Sequence, residues 1–275
     1  MGPSAIRYAG LASRLTELGY ECSDLGNVAA AVAEATPAGN ERVRFLPEIK
    51  ETCERIADLV AGVAAEGLVP LVLGGDHSVA LGSLGGLRRA HGRGGVLWLD
   101  AHGDLNSPET SPSGNVHGMV LAAALGCAGS AFEDGWGLPA VDPARVALFG
   151  VRSLDEGERE LIGRLDVKVV TMSEVDRRGV EPCIREALAH VAGPGFVHVS
   201  VDMDVVDPEF APGVGTPIRG GLSYREAHLA LELVAEAGLA FSLDVVEVNP
   251  VLDRENATGA LAVELAASAL GARIL

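Results

Sequence analysis

Three short apolar runs, each closed by a cluster of ionisable side chains, constrain the fold of this chain more than any other feature. Leu68-Val69-Pro70-Leu71-Val72-Leu73 ends in Gly74-Gly75-Asp76-His77-Ser78, Val96-Leu97-Trp98-Leu99 ends in Asp100-Ala101-His102-Gly103-Asp104, and Phe196-Val197-His198-Val199-Ser200-Val201 ends in Asp202-Met203-Asp204. Short continuous apolar runs are the pattern of strands buried on both faces, which belong to parallel sheets covered by helices. The chain is 48% hydrophobic with only 4% aromatic residues, so that core is built from Ala, Val and Leu.

The polar ends of these runs carry the chemistry. If the backbone stays extended beyond Leu99, side chains at i, i+2 and i+4 leave one face, and Asp100, His102 and Asp104 enter one small volume. Asp202 and Asp204 repeat the spacing, and His77 stands just past the first run. In open parallel sheets ligands collect outside the carboxyl ends of the strands. Carboxylates and imidazoles gathered there without a cation would repel and desolvate one another, whereas a divalent metal makes them a coordination shell. Each piece alone has a plainer reading: Gly-Gly-Asp-His is commonly a turn with Asp capping the next helix, and Asp-x-Asp is common in loops. Three such ends in succession favour a metal site.

The rest of the chain reads as a βαβ rhythm. Residues 48–66 show an amphipathic helical stripe stopped by Gly67, and a helix is expected over 78–92, with Gly85 and Gly86 allowing close packing. Others are expected over 118–127, 180–191, 223–237 and 258–270, with Ser223 and Glu226 forming a capping box. Further strands are predicted at 145–150, 167–171 and 241–248, and the segment around Trp136 and Pro139 reads as a surface excursion. The length of 275 residues without a Pro/Gly/Ser-rich linker suits one domain, 1–275. The formal charge of −17 argues against nucleic acid or an anionic membrane as partner and would attract a small cationic substrate. Cys22, Cys53, Cys127 and Cys183 are widely spaced, as expected of reduced thiols, and neither a signal peptide nor a membrane-length apolar run is visible. The expected location is cytoplasmic. His198 is expected in the core, and His91, His190 and His228 in solvent.

Taken together, Gly74-Gly75-Asp76-His77-Ser78, Asp100-Ala101-His102-Gly103-Asp104, Ser200-Val201-Asp202-Met203-Asp204-Val205-Val206-Asp207-Pro208 and Asp244-Val245-Val246-Glu247-Val248-Asn249-Pro250 resemble the ureohydrolase family, which includes arginases, agmatinases, formimidoylglutamases and guanidinobutyrases. The loop Asn106-x6-Ser113-Gly114-Asn115-x-His117-Gly118 is similar to the arginase version. The resemblance implies a three-layer αβα sandwich with a mostly parallel sheet and two Mn2+ per chain, with Co, Ni or Fe as possible substitutes. It implies His77, Asp100, Asp104 and Asp202 around one ion and His102, Asp100, Asp202 and Asp204 around the other, Asp100 and Asp202 bridging. It further implies hydrolysis of L-arginine to L-ornithine and urea in a homotrimer or homohexamer. Asp104 and His117 would move protons and Glu247 would orient the guanidinium, while Asn106, Ser113, Asn115, Asp155, Glu158 and Thr216 would hold the rest of the substrate. An agmatinase or guanidinobutyrase shares this chemistry without needing an α-carboxylate; a non-catalytic arginine-binding scaffold would be expected to lose ligands or Glu247. Three features depart from the arginase pattern: an N-terminal strand is expected to be missing before Gly2, Ser153 stands where arginases often have a further aspartate, and Val214 replaces a hydroxyl residue.

Overall fold

The computed structural model describes residues 1–133 and 135–273. Two short helices, α1 (Gly2–Tyr8) and α2 (Leu11–Glu17), precede the long helix α3 (Leu46–Ala65), the edge strand β1 (Leu71–Leu73) and α4 (Ala80–His91). Then follow β2 (Gly94–Leu99), α5 (Val120–Leu125), β3 (Val141–Val151), α6 (Glu156–Ile162), β4 (Lys168–Thr171), α7 (Met172–Arg178) and α8 (Val180–Val191). The chain continues through β5 (Val197–Asp202), α9 (Tyr224–Ala237), β6 (Ser242–Val246) and α10 (Ala257–Ala269). The described residues form one six-stranded sheet in the order β1-β6-β5-β2-β3-β4, parallel at every pairing.

Helices cover both faces, giving the expected αβα sandwich. Side-chain alternation along β2 shows why: Leu97 and Leu99 pack into one apolar layer with α8, α9 and α10, while Val96 and Trp98 pack into the other with α3, α4 and α5. On α4 the absence of side chains lets α3 approach closely, since a Cβ at Gly86 would stand 2.6 Å from the Ala57 carbonyl oxygen and one at Gly82 2.7 Å from Ile56 Cβ. The Gly85-Gly86 pair is thus packing surface, as the sequence suggested.

Several expectations need correction. The first strand spans only Leu71–Leu73, because Leu68 and Val69 are exposed and Pro70 has no N–H to give a ladder. Trp136 is no surface excursion: it is 2% exposed and its ring lies 5.6 Å from that of Phe132, filling the layer beside α4. His228 is buried on the face of α9 that meets α10, its Nδ1 2.8 Å from Ser268 Oγ; His190 is half-buried and His91 exposed. His198 is fully buried, as expected, 2.7 Å from Ser242 Oγ. No helix among the described residues is long and apolar enough to cross a membrane.

Candidate metal centre

The carboxyl ends of β1, β6, β5 and β2 lie side by side from one edge of the sheet inward, and each hands its next residues to one volume. β1 leads through Gly74-Gly75 to a 3-10 turn at His77–Val79, where Asp76 caps by accepting from Ser78 N at 2.9 Å. The capping reading and the ligand reading of this stretch are therefore both satisfied, by adjacent residues. β5 ends at Asp202, whose Oδ1 accepts from Asp204 N at 2.7 Å and so caps a 3-10 turn over Met203–Val205.

The expectation that an extended backbone aligns these groups is not met. β2 stops at Leu99, Asp104 has φ +52°, and Asp204 lies on a turn. The side chains converge nonetheless, because Asp100 and Asp202 each accept from a backbone N–H two residues on, a compact turn in place of a strand.

His77 Nδ1 lies 3.3 Å from Asp100 Oδ2, 3.2 Å from Asp104 Oδ2 and 3.2 Å from Asp202 Oδ2. His102 Nδ1 lies 3.4 Å from Asp100 Oδ1 and 3.0 Å from Asp204 Oδ2. Two groups that could each hold a metal ion result, His77 with Asp100 and Asp104, and Asp100 with His102 and Asp204; Asp100 faces the two histidines through its two oxygens. His77 Nδ1 is buried without a hydrogen-bond partner, although three carboxylates surround it. That orphaned nitrogen, in a donor set dominated by carboxylate oxygen, fits a divalent cation.

The electrostatics of the metal-free cluster agree. Burial and then the charge of Asp100 push the Asp104 carboxyl up to about 7, and burial with neighbouring aspartates also raises Asp202 and Asp204. Asp100 moves the other way, since His102 and His77 outweigh its burial. Burial would depress the His102 imidazole, but Asp100 and Asp204 lift it to about 11. Carboxylates that hold protons and imidazoles that refuse to lose them are what a cluster able to hold a divalent cation becomes when only protons are at hand.

Comparison with known proteins decides the family. The model of the arginase family matches residues 1–271. The chain belongs to the arginase family. It is 48% identical to an arginase of Bacillus caldovelox over all of this chain and 93% of the relative, and equally so to one of Bacillus subtilis at the same coverage. The solved native structure of the Bacillus caldovelox arginase superposes with a TM-score of 0.96, covering the whole chain and 93% of that protein.

Around this arginase-family centre the other expected residues fall into two sets. Glu247 follows β6 with φ +62°; its Oε1 accepts from His77 N at 2.8 Å and lies 3.2 Å from His117 Nδ1. Burial would depress the His117 imidazole, yet Glu247 with Asp104 and Asp76 pushes it up to about 9. Ser113 and Asn115 sit on the half-open loop before the 3-10 turn Val116–Met119. Asn106, Glu158 and Thr216 are braces: Asn106 Nδ2 donates to Asp155 Oδ2 at 2.8 Å, Glu158 joins Leu105 N to Asp155 N, and Thr216 Oγ1 donates to Asp204 Oδ2 at 3.2 Å. Glu158 in particular is 4% exposed with both oxygens engaged.

Two supports went unread in the sequence. Ser200 Oγ is 2.7 Å from His77 Nε2. Trp98 stacks on His77, centroids 4.0 Å apart, and donates from Nε1 to Asp100 Oδ2 at 3.0 Å. Each lies two residues before an aspartate on the same strand face, so the period-two pattern contained the signal.

Proposed function

We propose that this chain hydrolyses L-arginine to L-ornithine and urea with two divalent metal ions, Mn2+ by preference. The observation that carries the reading is the unpartnered His77 Nδ1 among three carboxylates, with Glu247 held against the His77 backbone. His77, Asp100, Asp104 and Asp202 would hold one ion and His102, Asp100, Asp202 and Asp204 the other. When bound, the pair supplies a water acidified enough to attack at neutral pH. An oxygen-rich shell without thiolate suits Mn2+, while Co2+, Ni2+ or Fe2+ would fit the same donors less selectively.

The chain's own residues do the rest. Glu247 Oε1 is occupied by His77 N and His117, which leaves Oε2 to accept from the guanidinium and hold its carbon toward the ligand cluster. Water contributes a hydroxyl to that carbon and a proton to the departing nitrogen, which leaves as the terminal amine of ornithine when its bond to the carbon breaks. Amines leave poorly unless protonated. Asp104 would accept the proton and His117, at the rim beside Glu247, would deliver it. Ser113 and Asn115 would donate to the α-carboxylate at the mouth, and Asp155 would accept from the α-ammonium.

The test is urea release from L-arginine, agmatine and 4-guanidinobutyrate by the Mn2+-loaded chain. The expected outcome is highest kcat/KM with arginine. Equal or better use of agmatine would overturn the arginine reading while leaving the hydrolytic chemistry standing.

A further inference from the structure

Arg152 lies just beyond β3 and has no part in the ligand set, yet its guanidinium is wholly engaged beside it. Its six hydrogen bonds all end on backbone carbonyls. Nη2 donates to Asp204 O at 2.6 Å, Ile218 O at 2.7 Å and Val206 O at 3.5 Å. Nη1 donates to Gly150 O and Val205 O, each at 3.2 Å, and Nε to Ile218 O at 3.2 Å. Three of the five carbonyls belong to consecutive residues of the turn that presents Asp204.

That turn needs an external anchor. β5 and its ladder end at Asp202, so Asp204 aims its carboxylate at His102 from irregular backbone. The facing loop meets it at Leu222, whose N donates to Val205 O at 3.0 Å, and again through Thr216 Oγ1 to Asp204 Oδ2. Arg152 bolts turn and loop together from behind. The backbone of the same residue ties in the His102 side: Arg152 N and Ser153 N donate to Ala101 O at 2.9 and 3.0 Å, and Ala101 N donates to Asp204 Oδ1 at 3.1 Å. A planar fork of five N–H donors can span carbonyls on two chain segments, whereas an ammonium offers three donors from one point.

We propose that Arg152 is the positioning residue for the His102-side metal position, fixing the turn that carries Asp204 against the loop that carries Thr216. The inference rests on the metal reading above. Asp204 belongs to the group with His102 and Asp100 and not to the one formed by His77, Asp100 and Asp104, so the effect is confined to one of the two ions. Arg145 provides the comparison. Its guanidinium is likewise spent on carbonyls, those of Val191, Pro194 and Phe196, but these lie at the opposite rim of the sheet.

The experiment titrates metal-depleted protein with Mn2+ by calorimetry and follows free Mn2+ by electron paramagnetic resonance. The unmodified chain is expected to bind two equivalents. Arg152→Lys is expected to bind one equivalent unchanged and the second at least tenfold more weakly, with a metal-free melting temperature lowered by a similar amount to that of Arg145→Lys. Arg145→Lys is expected to melt earlier with both binding steps intact. Arg152→Gln is a second route to the same end, since its amide donates from a single nitrogen, cannot span turn and loop, and leaves no unpaired charge. It keeps the test open if Arg152→Lys folds poorly. Two unchanged steps, or two steps weakened alike, in a folded Arg152→Lys or Arg152→Gln protein would overturn the proposal. An unmodified chain that binds no Mn2+ would overturn the metal reading and this assignment with it.

Discussion

Glu247→Gln separates the charge of this side chain from its shape. Oε1 accepts from His77 N at 2.8 Å and lies 3.2 Å from His117 Nδ1. In the glutamine variant the fixed backbone N–H of His77 selects which end of the amide takes that place: the oxygen must, because a donor cannot face a donor. The NH2 group then stands where Oε2 was and points N–H at the N–H groups of the guanidinium. The loss is one charge-assisted hydrogen bond, worth about 1.5–3 kcal/mol, together with a donor-to-donor contact. At about 1.4 kcal/mol per tenfold, kcat/KM for arginine should fall about 100-fold or more. Metal content should be unchanged, since Glu247 belongs to neither ligand group.

The same substitution has a readout that does not involve turnover. Glu247 is the chief reason the His117 imidazole is pushed up to about 9 against its burial. A group whose folded pKa is raised stabilises the fold fully below its unfolded value near 6.5 and ceases to do so as pH rises through the folded one. Metal-free protein should therefore lose a contribution to stability between about pH 6.5 and pH 9, and Glu247→Gln should flatten that slope while the His117 resonances titrate lower. The assays are urea release at matched metal content and proton NMR of the metal-free chain. A loss of activity below tenfold with both ions present, or a His117 titration that does not move, would refute the reasoning.

Other expectations follow from the same geometry. Asp202→Ala should leave less than half an equivalent of each ion by elemental analysis, because one oxygen faces His77 and the other caps the turn of Asp204. His117→Asn should retain both ions and slow turnover, measured as kcat at saturating arginine; loss of metal would make His117 a ligand. Asn115→Ala should narrow the preference for arginine over agmatine by about tenfold, one hydrogen bond to a carboxylate at a wet rim, seen as a higher KM for arginine alone. Asp244→Ala should destabilise the fold by about 1–3 kcal/mol, lowering Tm by about 2–5 °C in a chain of this size. Its carboxylate is fully buried and accepts from Ser83 Oγ at 2.9 Å, so removing it strands that hydroxyl; a calorimetric shift under about 1 °C would show that it finds another partner.

The cluster of histidines and aspartates at the rim was legible in sequence because it sits at the ends of apolar runs, where ionisable residues have few structural uses. The path by which the residues meet was not. Period-two reasoning put Asp100, His102 and Asp104 on one extended face, but the strand ends at Leu99 and the turn that replaces it depends on side-chain-to-backbone hydrogen bonds, which leave little periodic trace. Trp136 and His228 were misplaced for a related reason. The Gly-rich surroundings of Trp136 and the polarity of His228 read as surface, and both are buried by elements distant in sequence, α4 and α10. Asn106 and Glu158, expected to hold substrate, also brace Asp155 and Leu105, and composition does not register such partners in the next loop. Arg152 is the extreme case, since all its partners are main-chain oxygens and no residue type marks them.

Two carboxylates that complete the centre, Asp104 and Glu247, both occupy the left-handed region, with φ +52° and +62°. A side chain without a glycine's freedom resists that conformation, at about 1–3 kcal/mol per residue. A strand residue would send its carboxylate perpendicular to the sheet, into one of the helical layers; turning the backbone over lets it reach the space beyond the strand ends instead. The strain must be held from outside. The Asp104 carbonyl accepts from Leu121 N at 3.0 Å and Ala122 N at 3.1 Å at the start of α5, and Glu247 N donates to Gly75 O at 2.6 Å. Glu158 clamps Leu105 from the far side at 3.1 Å. The rigid elements around the rim thus hold the two residues to which the proposed function gives the acid–base and orienting roles, and on that reading the polar braces of the loops would support catalysis without touching the reacting atoms.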